Sequence, residues 1–165
     1  MPRVGIALGS NLGDRMANLN EAIRLIGEIA LKNEPFLKAP IYQTEPLHCP
    51  PDSPNFLNTV VEFSFEGIAE KLLELTREIE KSMGRKANPQ RNAPRVIDVD
   101  ILYLGEERCN TPNLILPHPR LHGRRFVLQP LADIRPDLVL PGRSKCIASL
   151  LEELTSDKSP LIPFN

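Results

Sequence analysis

The segment Arg95-Val96-Ile97-Asp98-Val99-Asp100-Ile101-Leu102-Tyr103-Leu104 constrains this chain more than any other. It reads as a buried strand over 96–104, apolar except for acids at alternate positions. Side chains at i and i+2 lie on one face of a strand, roughly 7 Å apart along it. Asp98 and Asp100 therefore share a face, and Ile97, Val99 and Ile101 fill the other. The apolar flanks predict a central strand. Like charges side by side on a half-buried surface are unfavourable. A bound divalent cation resolves the conflict, because hard cations such as Mg²⁺ take carboxylate oxygens. The alternative, a solvated strand face that happens to carry acids, fits the apolar flanks less well.

The charge pattern around this strand points the same way. The chain has 165 residues and a formal net charge of −1, which argues against a general nucleic-acid binder. Between Glu80 and Asp98 stand five cations (Lys81, Arg85, Lys86, Arg91 and Arg95) and no acid. Between Glu107 and Asp133 stand Arg108, Arg120, Arg124 and Arg125, with His118 and His122, and again no acid. In a balanced chain, two such stretches imply a local anionic ligand rather than two solvated loops. An acid pair next to a basic loop is what metal-assisted transfer of phosphate requires.

The remaining bulk properties set the frame. The length fits one domain over 1–165 with a core that needs no disulfides. Cys49, Cys109 and Cys146 are odd in number, widely spaced and without zinc-ligand spacing, which predicts a reducing cytoplasm. No apolar run is long enough to span a bilayer, and residues 1–8 lack the features of a secretory signal.

Along the chain, Val4 to Leu8 is a predicted central strand, and Gly9 to Asp14 a turn into an amphipathic helix over 14–30. Phe36 to Thr44 is a predicted strand with an edge or bulge at Pro40. Residues 45–54 hold four prolines and read as a stiff loop. Phe56 to Phe65 is a further strand, and Ile68, Leu72, Leu75, Ile79 and Met83 mark a second helix that ends at Gly84. Gly84 to Pro94 has no apolar period and reads as a mobile loop. Pro112 to Pro119 reads as irregular, Phe126 to Leu128 as a short strand or helix, and Ala148, Leu151 and Leu154 as a short final helix. Strands joined by helical crossovers predict a layered α+β sandwich.

Three further stretches carry chemistry. Arg85, Arg91 and Arg95 can bind phosphate oxygens in a bidentate fork. The small and polar residues between them predict a loop that a charged ligand orders, closing as a lid. In Leu116-Pro117-His118-Pro119-Arg120 two prolines restrict the backbone around His118 and fix its direction, which leaves two readings open: a donor to a phosphate oxygen, or the structural role that a lone histidine more often has. Gly9-Ser10-Asn11-Leu12-Gly13 is not a phosphate loop: the Gly-x-x-x-x-Gly-Lys and Gly-x-Gly-x-x-Gly patterns and the protein-kinase signatures are all absent.

Taken together, these stretches resemble the 6-hydroxymethyl-7,8-dihydropterin pyrophosphokinase family of folate biosynthesis. The resemblance runs from Ile6-Ala7-Leu8-Gly9-Ser10-Asn11-Leu12-Gly13 to Pro130-Leu131. Its most specific parts are Ala93-Pro94-Arg95-Val96-Ile97-Asp98-Val99-Asp100-Ile101-Leu102 and Leu116-Pro117-His118-Pro119-Arg120-Leu121-His122, continued by Arg124 to Leu131. It implies a ferredoxin-like α+β sandwich around a mainly antiparallel sheet. It implies transfer of the terminal diphosphate of ATP to the hydroxymethyl group of the pterin, with AMP leaving. Two Mg²⁺ ions held by Asp98 and Asp100 would lie between substrate hydroxyl and phosphates. Arg85 and Arg95 would act on the transferred phosphates, with Arg91, His118 and Arg124 on the nucleotide. Phe56 and Phe126 would sandwich the pterin ring, and Asn58 and backbone groups near Thr44 and Leu47 would meet its polar edge. No nucleic acid, membrane or protein partner is implied. The chain departs from the family at Arg91-Asn92-Ala93-Pro94-Arg95, where Arg-Trp-Gly-Pro-Arg is common, at Ala87, where a loop arginine is frequent, and at Glu45 beside the pterin loop.

Two other classes share parts of this pattern. A nucleotidyltransferase also uses paired aspartates with Mg²⁺, but attacks the α-phosphate and releases pyrophosphate. A non-catalytic pterin or RNA binder of the same architecture is the third; RNA recognition wants exposed aromatics on adjacent strands, which are scarce here.

Overall fold

A computed structural model describes residues 2–45, 54–84, 96–154 and 161–164. The chain runs β1 (Arg3–Ser10), α1 (Arg15–Ile29), β2 (Leu37–Lys38), β3 (Tyr42–Thr44), β4 (Phe56–Ser64), α2 (Ala69–Ser82), β5 (Asp98–Leu104), β6 (Cys109–Asn110), β7 (Ile115–Leu116), a 3₁₀ turn (Leu121–Gly123), α3 (Arg125–Ile134), α4 (Ile147–Glu153) and β8 (Ile162–Pro163). The main sheet has the order β5-β1-β4-β3-β8, with β2 also on β4, and every pairing is antiparallel. The β1-α1-β3-β4-α2-β5 core with this order is the predicted ferredoxin-like sandwich, extended by β8 and by the second helical pair.

Each face of the sheet is buried for a reason visible in the strands. On one side Val4, Ile6, Leu8, Leu57, Val61, Phe63, Val99 and Ile101 meet Leu19, Ala22 and Ile26 of α1 and Leu72 and Ile79 of α2. On the other, Val60, Leu102 and Tyr103 meet Val127, Leu128 and Leu131 of α3 and Ile147 of α4. Full burial of each such side chain contributes about 1.5–3 kcal/mol before ordering costs. α1 starts where Asp14 accepts the Ala17 N–H at 3.1 Å, a cap worth about 1 kcal/mol. α2 stops at Met83, and Gly84 follows with φ +94, a backbone state that glycine enters without a Cβ penalty.

Three expectations need correction. β5 is not central: among the described residues it pairs only with β1 in the main sheet. It reads as central because both of its faces are covered, and its free edge is occupied as well. The Glu80 carboxylate accepts the Val99 N–H at 3.0 Å, and the His118 N–H donates to the Leu102 carbonyl at 2.8 Å. The strand predicted over Phe36 to Thr44 is two short strands, β2 and β3, broken around Ala39-Pro40, where proline has no N–H for the ladder. The stretch from Phe126 belongs to the ten-residue helix α3, not a short element. Pro130 sits inside it without breaking it, because Val127, Leu128, Pro130 and Leu131 together form a buried stripe.

Candidate active site

Strand alternation puts Phe56, Asn58, Val60 and Glu62 of β4 on the α3 side of the sheet. The register then assembles a row across three strands: Asp98 of β5 stands opposite Gly9 of β1, and Gly9 stands opposite Asn58 of β4. With strands about 4.8 Å apart, the Asp98 and Asn58 backbones are roughly 10 Å apart, and the residue between them has no side chain. A Cβ at position 9 would lie 3.0 Å from Asn58 Oδ1 and 3.5 Å from Phe56 Cδ1, so glycine lets both side chains lie close over β1. One step along, Asp100 stands opposite Ala7, again a small residue. The acid pair shares one face as predicted, with Asp98 half-buried and Asp100 exposed, while Ile97, Val99 and Ile101 are buried on the other.

On the β4 side, Asn58 and Thr44 are both buried, and Asn58 Nδ2 donates to Thr44 Oγ1 at 2.6 Å. That bond fixes the amide, leaving Oδ1 oriented and able to accept. A buried polar pair of this kind rejects ligands that cannot match it, since an unpaired group is costly. Phe56 begins β4 beside the pair and is half-buried.

α3 brings the third group. Arg124 caps its start and Phe126 lies in its first turn, with the Arg124 guanidinium 5.5 Å from the Phe126 ring centroid. Burial holds Arg124 below the usual guanidinium range, Asp100 and Asp98 work in the opposite direction, and the nearby Arg120 adds to the lowering. Arg124 is thus close enough to both acids to sense them. His118 is half-buried and its pKa is pushed down to about 4, by burial first and then by Arg124 and Arg120. Its Nδ1 accepts the Arg120 N–H at 3.1 Å, so the neutral ring carries its proton on Nε2, the donor that the proline-flanked stretch was expected to supply.

A groove of about 770 Å³ runs along the free edge of β5, between α2 and residues 112–119. Leu73, Val99 and Ile101 give it an apolar wall, Arg77 and Lys81 line it with positive charge, and Asp100 and His118 stand in the same lining.

Thr44, Phe56, Asn58, Asp98, Asp100, His118, Arg124 and Phe126 therefore sit on elements that meet at one end of the sheet. Arg85, Arg91, Arg95 and Leu47, with the predicted lid, lie outside the described residues. Lys81, already counted in the first basic stretch, lines the groove. Sequence reasoning missed Glu80, whose bond to the Val99 N–H holds the backbone between the two aspartates, and the groove cation Arg77. Spacing alone marks these as ordinary exposed positions of α2; only the edge position of β5 gives them a task. Among the described residues no three His, Cys, Asp or Glu side chains group to hold a metal by themselves. Two carboxylates beside small residues fit Mg²⁺, which keeps several ligands from water and substrate phosphates rather than from the protein.

Residues 5–136 match the profile described as 7,8-dihydro-6-hydroxymethylpterin-pyrophosphokinase (HPPK). The chain is 35% identical to the 2-amino-4-hydroxy-6-hydroxymethyldihydropteridine pyrophosphokinase of Haemophilus influenzae, over 93% of both chains. It is 43% identical to the enzyme of that name from Bacillus subtilis, over 78% of this chain and 75% of the other. A folate synthesis bifunctional protein of Arabidopsis thaliana is 41% identical over 79% of this chain, which spans only 26% of that longer protein. The fold is shared with the crystal structure of Plasmodium falciparum HPPK-DHPS, at a TM-score of 0.72 and 14% identity, over 92% of this chain and 45% of the other. The chain belongs to the 7,8-dihydro-6-hydroxymethylpterin-pyrophosphokinase family.

Proposed function

We propose that this chain transfers the terminal diphosphate of ATP to 6-hydroxymethyl-7,8-dihydropterin, as one pyrophosphokinase domain. The observation that carries this reading is the Asp98–Gly9–Asn58 row: a carboxylate on one side, an ordered polar pair on the other, and no side chain on the strand between. The pterin edge meets Asn58 and the backbone near Thr44 and Leu47. Its ring lies between Phe56 and Phe126, where offset aromatic contact adds to burial. The nucleoside occupies the groove along β5, its base on the apolar wall and its phosphates toward Asp100 and His118. Arg124 and Arg91 are the further nucleotide ligands of this reading.

In the reaction the pterin hydroxymethyl oxygen attacks the β-phosphorus of ATP. The bond from that phosphorus to the α,β-bridging oxygen breaks, and AMP leaves with the electron pair. Two Mg²⁺ ions on Asp98 and Asp100, when bound, neutralise phosphate charge and lower the pKa of the attacking hydroxyl. The protein's own contribution is positioning and fixed positive charge, which is what phosphoryl-type transfer needs. Arg85 and Arg95 stabilise the transferred phosphates. His118, neutral at pH 7, donates from Nε2 without adding charge. A reducing compartment suits the three widely spaced cysteines.

Product analysis tests the reading. ATP, Mg²⁺ and the hydroxymethyl-dihydropterin together should give AMP and a pterin diphosphate, and omission of any one should give neither. Release of inorganic pyrophosphate would instead favour a nucleotidyltransferase. Salt-dependent RNA affinity with no turnover would favour the binding module.

A further inference from the structure

We propose that β8 and Phe164 form a brace that positions the pterin end of the site, an inference that rests on the function proposed above. These residues lie beyond the matched span of 5–136, yet they pair with β3 directly and reach the start of β4 through Arg15. The first route runs through β3. β8 pairs antiparallel with it, Tyr42 opposite Pro163 and Gln43 opposite Ile162, and the Phe164 N–H donates to the Ile41 carbonyl at 2.8 Å. β3 has three residues and ends in Thr44, the partner of Asn58. A strand that short, paired on one side only, frays readily; β8 supplies its second neighbour.

The second route runs through α1. The Arg15 guanidinium lies 6.0 Å from the Phe164 ring centroid, and its Nη1 donates to the Asn55 carbonyl at 2.9 Å. Asn55 immediately precedes Phe56. The adjoining Pro54 carbonyl accepts from Asn11 Nδ2 at 3.4 Å. Arginine is a long side chain with much rotamer freedom, and an aromatic face over its head restricts it at a modest cost. Phe164 packs against the α1/α2 core while Ile162 and Pro163 stay exposed. The segment thus adds little buried area of its own, and its two contacts converge on Thr44 and Phe56. None of its described residues lines the groove along β5. The geometry therefore assigns it to pterin affinity and not to the nucleotide.

The test compares the full chain with Phe164→Ala, Phe164→Tyr, Arg15→Ala, the double variant, and a chain stopped after Pro160. Pterin affinity is measured by its fluorescence with Mg²⁺ and a non-hydrolysable ATP analogue present, and nucleotide affinity by calorimetry. Phe164→Ala should weaken pterin binding and raise its KM by about threefold to fivefold, the change that a lost exposed cation–π contact corresponds to. Analogue affinity and kcat at saturating pterin should stay near the full chain's. Phe164→Tyr should restore pterin binding, and the double variant should be no weaker than the worse single one. The stopped chain should be weaker still for pterin; if it does not fold, the point variants decide. Unchanged pterin affinity in Phe164→Ala, or equal loss of both ligands, overturns the brace. Absence of pterin binding by the full chain itself would overturn the functional reading, and the brace with it.

Discussion

At the scale of single residues, the acid pair and His118 carry the sharpest predictions. On the proposed metal assignment, Asp98→Ala and Asp100→Ala should fold and lose nearly all turnover at saturating Mg²⁺, because each would delete a carboxylate ligand of the ion. Without metal either variant should be no less stable than the parent, since it relieves like-charge repulsion on one strand face; urea titration checks this, and near-normal turnover in both would remove the metal assignment. His118 makes a prediction in pH. Its folded pKa of about 4 lies below the ordinary 6.5, so the unfolded chain takes up a proton first as pH falls. The stability linked to this neutral imidazole is complete above about 6.5, declines from there toward 4, and is constant below. The difference in Tm between the parent and His118→Gln should follow that window. A pH-independent difference would mean that folding leaves the pKa of the ring unshifted.

At the scale of elements, α3 connects the active end of the sheet to a buried polar cluster at the other. Glu62 is fully buried on β4. Arg135, the C-cap of α3, donates to both of its carboxylate oxygens at 2.6 Å, Arg3 donates at 3.0 Å, and the Tyr103 hydroxyl makes a further bond. To reach Glu62 on β4, Tyr103 of β5 crosses β1 over Gly5, where a Cβ would overlap its ring. A register shift between Gly5 and Ile6 leaves Leu102 as the extra residue, so Leu102 and Tyr103 both reach the α3 side. Glu62→Ala should cost about 3 kcal/mol, the low end for breaking a buried pair, because both arginines still reach solvent. Gly5→Ala should cost about 1–3 kcal/mol by overpacking. Equilibrium denaturation measures both, and a change under half a kcal/mol in either would show that the cluster is relaxed. None of this was legible in the sequence. Alternation showed Asp98 and Asp100 on one face, but Tyr103 reads as one more apolar strand residue until the bulge is seen. α1 and α2 were legible from their 3.6-residue period. α3 was not, because Pro130 interrupts the pattern that would have announced it. The edge position of β5, and with it the task of Glu80, depends on pairings made over long sequence separations.

At the scale of the molecule, the sandwich gathers the proposed site at one end: β4 and β3 bring the groups proposed to meet the pterin, β5 the acids, α3 the guanidinium and aromatic ring, and α2 one wall of the groove. No described helix is long and apolar enough to cross a membrane. This arrangement makes one central claim, that the acceptor hydroxyl reaches the β-phosphorus of ATP and not the γ- or α-phosphorus. A single turnover with ATP labelled separately at the α, β and γ positions measures it directly. The β and γ labels should both appear in the pterin product and the α label only in AMP. A pterin product carrying the γ label alone, or the α label, would contradict the account.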